Sequence, residues 1–283
     1  MNAIVSSGAN VPLLHMHGIT IPKLGFGTSR MGDCGAIVAN ALKLGYRHLD
    51  TAWKYKTEKG VGEGIRASGV PRAEIFVTTK VSHEYLRAGD FTRRVDESLN
   101  NLQLDYVDLL MVHWPSPEQV PLAETMAALA KARREGKARH LGVANFNIAL
   151  LEAAMRVCPE PIESLQVEYH PYLDQTRLLA AVRRLGLPMT AYCPLGRGTM
   201  IHDPVVADIA RAKGKSVAQV VLRWHMQQPN VIPIPRSSNP GRQAENLAIF
   251  DFTLNADEMR RIHALARPDG RIANPAGRAP AWD

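Results

Sequence analysis

The feature that most constrains the fold of this sequence is a repeated alternation of short apolar segments with longer amphipathic segments. A short apolar segment predicts a strand, and apolar residues at every third or fourth position predict a helix. The predicted strands cover Leu24–Thr28, Gly45–Asp50, Glu74–Lys80, Asp108–His113, Arg139–Asn145, Ser164–Glu168, Leu187–Tyr192 and Asn230–Pro235. The predicted helices cover Gly35–Leu44, Thr57–Ala67, Asp90–Leu102, Leu122–Arg134, a segment that ends at Val157, Gln175–Leu185, Val217–Gln227 and Arg242–Ile249. Eight strand–helix units favour a parallel sheet closed into a (β/α)8 TIM barrel, an α/β fold.

Three segments lie outside this repeat. Pro12–Pro22 predicts a hairpin that turns at His17–Gly18 and closes the N-terminal end, or bottom, of the barrel. A final helix is predicted over Ala256–Ala266, and the following Arg267–Asp283 is rich in proline, glycine and alanine, which predicts a short extended tail. Barrels of this class form one domain of roughly 250 residues. We therefore predict a single domain over residues 1–283.

A doubly wound open sheet is the alternative fold. It would carry the glycine fingerprint G-x-G-x-x-G directly after its first strand. Gly25-Phe-Gly27 supplies two of the three glycines and lacks the third, and Gly60-Val-Gly62-Glu-Gly64 falls inside a predicted helix. Neither segment meets the requirement, which favours the barrel.

Composition restricts the cellular setting and the partners. No apolar run approaches the roughly 18 residues of a membrane-spanning helix, and the first residues do not resemble a secretion signal. The three cysteines, Cys34, Cys158 and Cys193, are far apart and odd in number, which suits a reducing compartment. The net charge of +7 is spread over short basic runs typical of helix ends. We predict a cytoplasmic protein with neither nucleic acid nor membrane as a partner.

Polar residues at the ends of the predicted strands are the candidates for chemistry, because barrel enzymes build their sites there. Asp50 and Lys80 each end an apolar strand, and two ionised groups so placed must be paired. Tyr55 follows Asp50 closely and is expected to donate a proton to a carbonyl oxygen, with a pKa lowered by the Lys80 cation. A neutral His113 is expected to donate a hydrogen bond to the same oxygen.

Each of these residues alone has a simpler explanation. A lone histidine or tyrosine at a strand end most often packs structurally, a lysine reaches solvent, and an aspartate caps a helix. Their occurrence at equivalent ends of successive units favours the catalytic interpretation. Metal binding is not expected, since neither His15-x-His17 nor His202-Asp203 has a clear third ligand and the H-E-x-x-H pattern is absent.

Several ordered motifs resemble those of the aldo-keto reductase family. They are Gly45-Tyr-Arg-His-Leu-Asp-Thr-Ala52 with Tyr55, Val77-Thr-Thr-Lys80, Val112-His-Trp-Pro115, Gly142-Val-Ala-Asn-Phe146, Gln166-Val-Glu-Tyr-His-Pro171 and Pro233-Ile-Pro-Arg-Ser-Ser-Asn-Pro-Gly-Arg242 with Glu245 and Asn246. The resemblance covers about residues 20 to 283. It implies a catalytic tetrad of Asp50, Tyr55, Lys80 and His113, and an oxidoreductase that reduces carbonyl groups with NADPH.

The resemblance also implies roles for residues around that tetrad. Those implied to bind the cofactor are Thr28, Asp50, Asn145, Gln166, Tyr192, Cys193, Leu195, Gly196, Arg236, Ser237, Arg242 and Asn246. Among these, Asn145 and Gln166 are implied to hold the nicotinamide carboxamide, Tyr192 to stack on the nicotinamide ring, and Arg236, Ser237 and Arg242 to hold the 2′-phosphate. The residues implied to contact substrate are Trp53, His113 and Trp114.

Three positions depart from the family pattern. Ala144 replaces a serine beside the asparagine, so one hydrogen bond to the carboxamide is expected to be absent. Arg236 replaces a lysine but keeps the charge, so a preference for NADPH is expected to survive. Ser29 stands where many members carry a tryptophan, which predicts a wider or more polar substrate pocket.

The tail Asp269–Asp283 resembles that of bacterial 2,5-diketo-D-gluconate reductases, which also reduce methylglyoxal. The resemblance therefore implies a monomer acting on 2,5-diketo-D-gluconate, methylglyoxal or a related carbonyl compound. Two alternatives stay open. One is a redox-sensing regulatory subunit with little turnover, since some barrels of this family serve that role; the other is a lyase or isomerase barrel, which would not explain the cofactor arginines.

Overall fold

Strands and helices alternate over most of the described chain. The structure, a computed structural model, describes residues 11–16, 18–116 and 120–283. Its strands are Leu13–Met16 (β1), Ile19–Pro22 (β2), Phe26–Gly27 (β3), His48–Asp50 (β4), Phe76–Val81 (β5), Val107–Val112 (β6), Ala138–Ala144 (β7), Ser164–Glu168 (β8), Met189–Tyr192 (β9) and Val231–Pro233 (β10). Its α-helices are Gly35–Leu44 (α1), Glu58–Ser68 (α2), Ala88–Leu102 (α3), Leu122–Arg134 (α4), Ile148–Val157 (α5), Thr176–Arg184 (α6), Pro204–Lys213 (α7), Val217–Met226 (α8), Pro240–Leu247 (α9) and Ala256–His263 (α10).

Strands β3 to β10 pair in parallel, each with the next along the chain. The two ends of this sheet also meet, because the backbone N–H of Gly25 donates to Pro233 O and that of Gly27 donates to Pro235 O, both at 3.0 Å. A Cβ atom at Gly25 would lie 2.7 Å from Ile234 Cγ2, so glycine permits this close approach. The predicted barrel is therefore confirmed.

The N-terminal hairpin covers the bottom of the barrel, as predicted. Strands β1 and β2 pair antiparallel from Leu13 opposite Pro22 to Met16 opposite Ile19. Ile19 and Ile21 are buried in one apolar cluster with residues of the barrel strands, namely Phe76, Leu109, Met111 and Ile232. Phe76 is the first residue of β5, which places the cluster at the N-terminal end of the strands. His17, in the predicted turn, lies outside the described residues.

One helix was not predicted from the sequence. The segment between β9 and α8 was expected to be a long loop, but it contains α7. The Asp203 side chain caps this helix by accepting hydrogen bonds from the backbone N–H groups of Val205 and Val206, both at 3.0 Å. Pro204 occupies the first helical turn, and Gly214 ends the helix in a left-handed conformation. These start and stop signals are present in the sequence and could have identified the helix.

Within the described part of the chain, no helix is both long enough and apolar enough to span a membrane. The predicted bounds of the other elements differ from the observed ones by a few residues, as is usual at fraying ends.

Candidate active site

The polar residues predicted from the strand ends lie at one end of the barrel. Asp50 is the last residue of β4, Lys80 is the penultimate residue of β5, and His113 directly follows β6. The same end receives Asn145, which follows β7, and Tyr192, which ends β9. Because all these strands run in parallel, their C-terminal ends face one common space.

Asp50 and Lys80 form a buried ion pair. Lys80 Nζ donates to Asp50 Oδ1 at 2.7 Å and to the carbonyl oxygen of Thr51 at 2.8 Å. The second carboxylate oxygen, Asp50 Oδ2, accepts a hydrogen bond from Gln166 Nε2 at 2.7 Å. Both oxygens of the carboxylate thus have partners, which offsets part of the cost of burying the charge. The predicted pairing of Asp50 with Lys80 is present in the structure.

Tyr55 and His113 lie next to this pair. Tyr55 ends the short 3₁₀ helix Trp53–Tyr55, and its ring meets the His113 ring edge-on, with 5.5 Å between the centroids. Lys80 Nζ lies 5.3 Å from the centroid of the Tyr55 ring. Burial, the nearby Lys80 cation and then Arg278 hold the pKa of His113 well below its usual range, so its imidazole is neutral at pH 7. A neutral imidazole donates from one ring nitrogen only.

The pKa of Tyr55 differs from the sequence-based expectation. Lys80 was expected to lower it, but burial raises it well above its ordinary value, and the nearby Asp50 charge adds to that effect. The Asp50 carboxylate, 2.7 Å from Lys80 Nζ, offsets part of the attraction between the Lys80 charge and the phenol, so the effect of burial on the pKa of Tyr55 dominates. Tyr55 therefore keeps its proton, the state required of a proton donor.

Asn145 occupies a constrained position beside the tetrad. Its φ of 62° lies in the left-handed region, which asparagine tolerates better than most residues. Its side-chain Nδ2 donates to the His113 carbonyl oxygen at 2.8 Å, and its Oδ1 accepts from the Tyr192 hydroxyl at 2.7 Å. This arrangement links the ends of β6, β7 and β9. Ala144 precedes it and carries no polar side chain.

Other residues predicted to bind the cofactor flank this centre. Thr28 directly follows β3 and is fully buried, with its hydroxyl donating to the Asp50 carbonyl oxygen at 3.0 Å. Cys193 directly follows β9 with a φ of 51°, and its carbonyl oxygen accepts from the Gly196 N–H at 2.8 Å. This turn places Leu195, which is partly buried, beside the apolar core.

The residues predicted to hold a phosphate lie in the loop after β10 and in the first turn of α9. Arg236 and Arg242 are both exposed, and neither has an ion-pair partner among the described residues. Arg236 Nη1 donates to the Arg30 carbonyl oxygen at 3.1 Å, and the Ser237 hydroxyl donates to the Asn239 carbonyl oxygen at 3.3 Å. Two uncompensated guanidinium groups and a hydroxyl at a helix N-terminus suit a phosphate in charge and in donors. Asn246 is buried within α9, on the inner side of the same segment.

The two tryptophans predicted to contact substrate differ in their surroundings. Trp114 follows His113, and its ring meets the Trp282 ring edge-on with 6.3 Å between the centroids. The Trp53 ring instead packs against Tyr85 at 5.1 Å, with Lys56 Nζ 3.6 Å and the Arg94 guanidinium 4.7 Å from its centroid. Trp53 therefore packs toward α3, and its described ring contacts do not include His113 or Trp114.

The C-terminal tail contributes residues that sequence reasoning missed. It was expected to be extended, but it crosses the end of β8, where Glu168 accepts hydrogen bonds from the Ile272 and Ala273 N–H groups, both at 2.7 Å. It also carries Trp282 and Arg278 to Trp114. These contacts join residues more than a hundred positions apart, and no local pattern predicts them.

No cluster of three or more histidine, cysteine or acidic side chains suited to a metal ion occurs in the described ranges.

The chain matches known proteins over most of its length. The model of the aldo/keto reductase family matches residues 23–267. The chain is 41% identical over 276 residues to morphine 6-dehydrogenase of Pseudomonas putida, covering 90% of this chain and 91% of that protein. It is 40% identical over 269 residues to the methylglyoxal reductase DkgB of Escherichia coli O157:H7, and the match covers 94% of this chain and 100% of that protein.

Solved structures agree with this result. One is described as a candidate 2,5-diketo-D-gluconic acid reductase B, with 48% identity, a TM-score of 0.91 and coverage of 100% of this chain and 98% of that one. Another is an aldo-keto reductase of Bombyx mori in complex with NADP, with 33% identity and a TM-score of 0.86. The match covers 92% of this chain and 94% of that one. Because the family model matches most of the chain and relatives about 40% identical span nearly all of it, this protein belongs to the aldo/keto reductase family.

Proposed function

We propose that this protein reduces aldehyde and ketone groups of small carbonyl compounds to alcohols, with NADPH as the hydride donor. The observation that carries the proposal is the buried Lys80–Asp50 pair beside a protonated Tyr55 and a neutral His113. A protonated Tyr55 hydroxyl and a neutral His113 imidazole can each donate a hydrogen bond to a carbonyl oxygen, as carbonyl reduction requires. Relatives named for methylglyoxal reduction, and a structural neighbour bound to NADP, support the same reaction.

In this proposal NADPH supplies the hydride when it is bound. Arg236, Arg242 and Ser237 would hold its 2′-phosphate, and Asn246 would lie near the adenine. Asn145 and Gln166 would hold the nicotinamide carboxamide and Tyr192 the ring face. The remaining predicted cofactor residues would line its path across the barrel, namely Thr28, Asp50, Cys193, Leu195 and Gly196.

The protein's own part in the chemistry is proton transfer. His113 and Tyr55 both donate hydrogen bonds to the substrate carbonyl oxygen, which polarises the carbonyl group. As negative charge develops on that oxygen, the Tyr55 hydroxyl transfers its proton to it and becomes a phenolate. The Lys80 ammonium stabilises the phenolate, and Asp50 fixes the position of the ammonium. Reprotonation of Tyr55 from solvent restores the starting state.

The substrates we propose are methylglyoxal, 2,5-diketo-D-gluconate or a related small carbonyl compound, with Trp114 at the wall of the pocket. We propose a monomer that works as one domain in the cytoplasm. Trp53 lies on the 3₁₀ helix that carries Tyr55, and we propose that it also contacts the substrate while its ring packs against Tyr85.

The test is an initial-rate assay of the purified protein with a panel of carbonyl compounds, each with NADPH and with NADH. We expect NADPH oxidation that depends on the carbonyl compound and an alcohol product in equal amount. NADPH that binds tightly, seen by fluorescence titration, without turnover of any compound would instead favour the regulatory-subunit alternative.

A further inference from the structure

The C-terminal tail is held in place across the open end of the barrel. Glu168 accepts hydrogen bonds from two consecutive tail N–H groups, those of Ile272 and Ala273, and its Oε1 also lies 2.9 Å from His170 Nε2. Upstream, the Arg267 N–H donates to the Tyr172 carbonyl oxygen at 3.1 Å. The tail thus has a defined path from α10 to the proposed active site.

The end of the tail packs on Trp114 through aromatic and cationic side chains. The Arg271 guanidinium lies 3.6 Å from the centroid of the Trp282 ring, and this ring meets Trp114 edge-on. On the barrel side, Asn147 Nδ2 donates to the Ala281 carbonyl oxygen at 2.7 Å. These contacts fix the backbone on both sides of Arg278, which lies between residues 271 and 281.

Arg278 places a cation beside the residue that follows His113. Its guanidinium carbon lies 5.5 Å from the centroid of the Trp114 ring. Its Nε is shielded from solvent and has no hydrogen-bond partner. Among the described residues, no carboxylate lies within ion-pair distance of Arg278. A guanidinium that is half-buried and uncompensated is set to receive an anion.

Arg278 differs from two neighbouring lysines, each of which is paired with a carboxylate. Lys54, on the 3₁₀ helix of Tyr55, is already paired with Glu84 at 2.7 Å. Lys80 is paired with Asp50 inside the barrel. The field of Arg278 reaches the proposed centre, since it is among the charges that lower the pKa of His113, after burial and Lys80. Arg271 also has no ion-pair partner among the described residues, but it stacks on Trp282, whereas Arg278 is the arginine whose guanidinium lies beside the Trp114 ring.

We propose that Arg278 is a specificity-determining residue that binds the carboxylate of a substrate whose aldehyde or ketone group lies at Tyr55 and His113. This inference rests on the function proposed above and narrows its substrate class to carbonyl compounds that carry a carboxylate. The planar guanidinium matches the two oxygens of a carboxylate, and the Trp114 ring lies beside it.

The test compares two substrates with NADPH: succinic semialdehyde, which carries a carboxylate, and its methyl ester, in which a methyl group removes that charge. The wild-type protein, Arg278→Leu, Arg278→Lys and the control Arg267→Leu are assayed. Arg267 belongs to the same tail but stacks on Tyr172, with its guanidinium carbon 4.3 Å from that ring. The measured quantity is kcat/KM for the acid divided by kcat/KM for the ester, at low and at high ionic strength.

We expect this ratio to fall by about 10- to 150-fold in Arg278→Leu, the range of a lost charged hydrogen bond. It should fall less in Arg278→Lys, which keeps the charge without the planar fork, and stay unchanged in Arg267→Leu. High salt should shrink the difference between the wild type and Arg278→Leu. Circular dichroism and the Tm verify that the variants fold.

An equal loss for acid and ester in Arg278→Leu would overturn the inference, because it would show a structural role. An unchanged ratio in both Arg278 variants would overturn it as well. In either case, wild-type turnover of methylglyoxal would leave the proposed carbonyl reductase function standing. A wild-type protein that reduces neither methylglyoxal nor the two test substrates would refute that function, and the inference with it.

Discussion

Lys80 Nζ lies 2.7 Å from Asp50 Oδ1, and neither side chain has more than 2% of its surface exposed. Burial lowers the pKa of Lys80, while the attraction of Asp50 raises it. Each charge is therefore held in the barrel by the other. The pair joins the ends of two neighbouring strands, β4 and β5, and sits beside Tyr55, so one contact serves both the stability of the barrel and the proposed chemistry.

Lys80→Met is expected to cost both stability and activity. It leaves the Asp50 carboxylate buried with Gln166 as a remaining donor, and breaking a buried pair from one side costs about 3–5 kcal/mol. The free energy of unfolding, measured by urea titration, should fall by that order. Carbonyl reduction should fall as well, since the cation that stabilises the Tyr55 phenolate is absent.

Lys54→Met is the matched control. It removes a lysine from an exposed pair with Glu84, and such pairs contribute about 0–1 kcal/mol. Adding Asp50→Asn to Lys80→Met should restore part of the stability, because the uncompensated charge is then removed. An unfolding free energy for Lys80→Met equal to that of Lys54→Met would contradict the interpretation of the buried pair.

Tyr55→Phe is expected to remove most carbonyl reduction and to leave NADPH affinity nearly unchanged. The substitution deletes the hydroxyl that donates the proton, and general-acid catalysis is typically worth about 10²–10⁴ in rate. Initial rates and fluorescence titration with NADPH measure the two quantities separately. Tyr85→Phe, on the far side of Trp53, is the control and should keep its rate. A Tyr55→Phe rate within threefold of the wild type would rule out Tyr55 as the donor.

The barrel and its centre could be predicted because their determinants are local. Each strand is a short apolar segment of the sequence. Because the strands are parallel, Asp50, Lys80 and His113 lie at the same end of the barrel. The strand pattern does not predict how a side chain is oriented in the loop that follows the strand. Trp53 is predicted to contact the substrate, and the sequence does not predict that its ring also packs against Arg94 and Tyr85, since tertiary packing sets those contacts.

The tail shows a second limit of sequence reasoning. Its proline, glycine and alanine content predicts an extended chain but not what that chain contacts. Glu168 meets Ile272 and Ala273 across more than a hundred positions, and the pairing uses backbone N–H groups that carry no sequence signal. The pKa of Tyr55 was misjudged for a related reason, because the burial that raises it depends on the assembled barrel.

Arg236→Ala is expected to weaken NADPH binding and to leave NADH binding almost unchanged. NADPH differs from NADH by the 2′-phosphate, and a hydrogen bond to a charged group is worth about 10- to 150-fold in affinity. Arg236 is exposed, so the effect should shrink at high salt. Arg211→Ala, an exposed arginine on α7, is the control. Equal losses for the two cofactors would show that Arg236 does not contact the phosphate.

The docking of the tail is expected to depend on pH through Glu168. Burial raises the pKa of Glu168, but hydrogen bonds from His170 and from the Ile272 and Ala273 N–H groups together lower it below its ordinary value of 4.5. A carboxylate with a lowered pKa stabilises the folded state above its unfolded pKa, and this stability is lost as the pH falls through the folded pKa.

The Tm difference between the wild type and Glu168→Gln should therefore be constant from about pH 7 to pH 5 and shrink below about pH 4.5. Differential scanning fluorimetry across that range measures it. Glu152→Gln, which removes an exposed carboxylate paired with Arg184, is the control for a general charge effect. A difference that grows on acidification would mean that Glu168 is protonated when the tail is docked.

Gly270→Ala is expected to displace the tail without unfolding the barrel. A Cβ atom at this position would lie 1.8 Å from the Tyr172 carbonyl oxygen and 2.6 Å from its carbonyl carbon. These are backbone atoms of the barrel loop, so the tail must move instead. Hydrogen exchange should then become faster at Ile272 and Ala273, whose N–H groups would separate from Glu168.

The matched control is Gly89→Ala, at an open position in α3 where an added Cβ meets nothing within 4 Å. Alanine there should be neutral or slightly stabilising, since it favours the helix. Gly270→Ala changes the position of the tail but none of its charges. It therefore tests the effect of the tail's position separately from the effect of its charge. If Arg278 must be held at Trp114 to bind a carboxylate, Gly270→Ala should lower the acid-to-ester ratio of kcat/KM toward that of Arg278→Leu. A ratio equal to that of the wild type, together with faster exchange at Ile272, would show that the docked tail does not select the substrate.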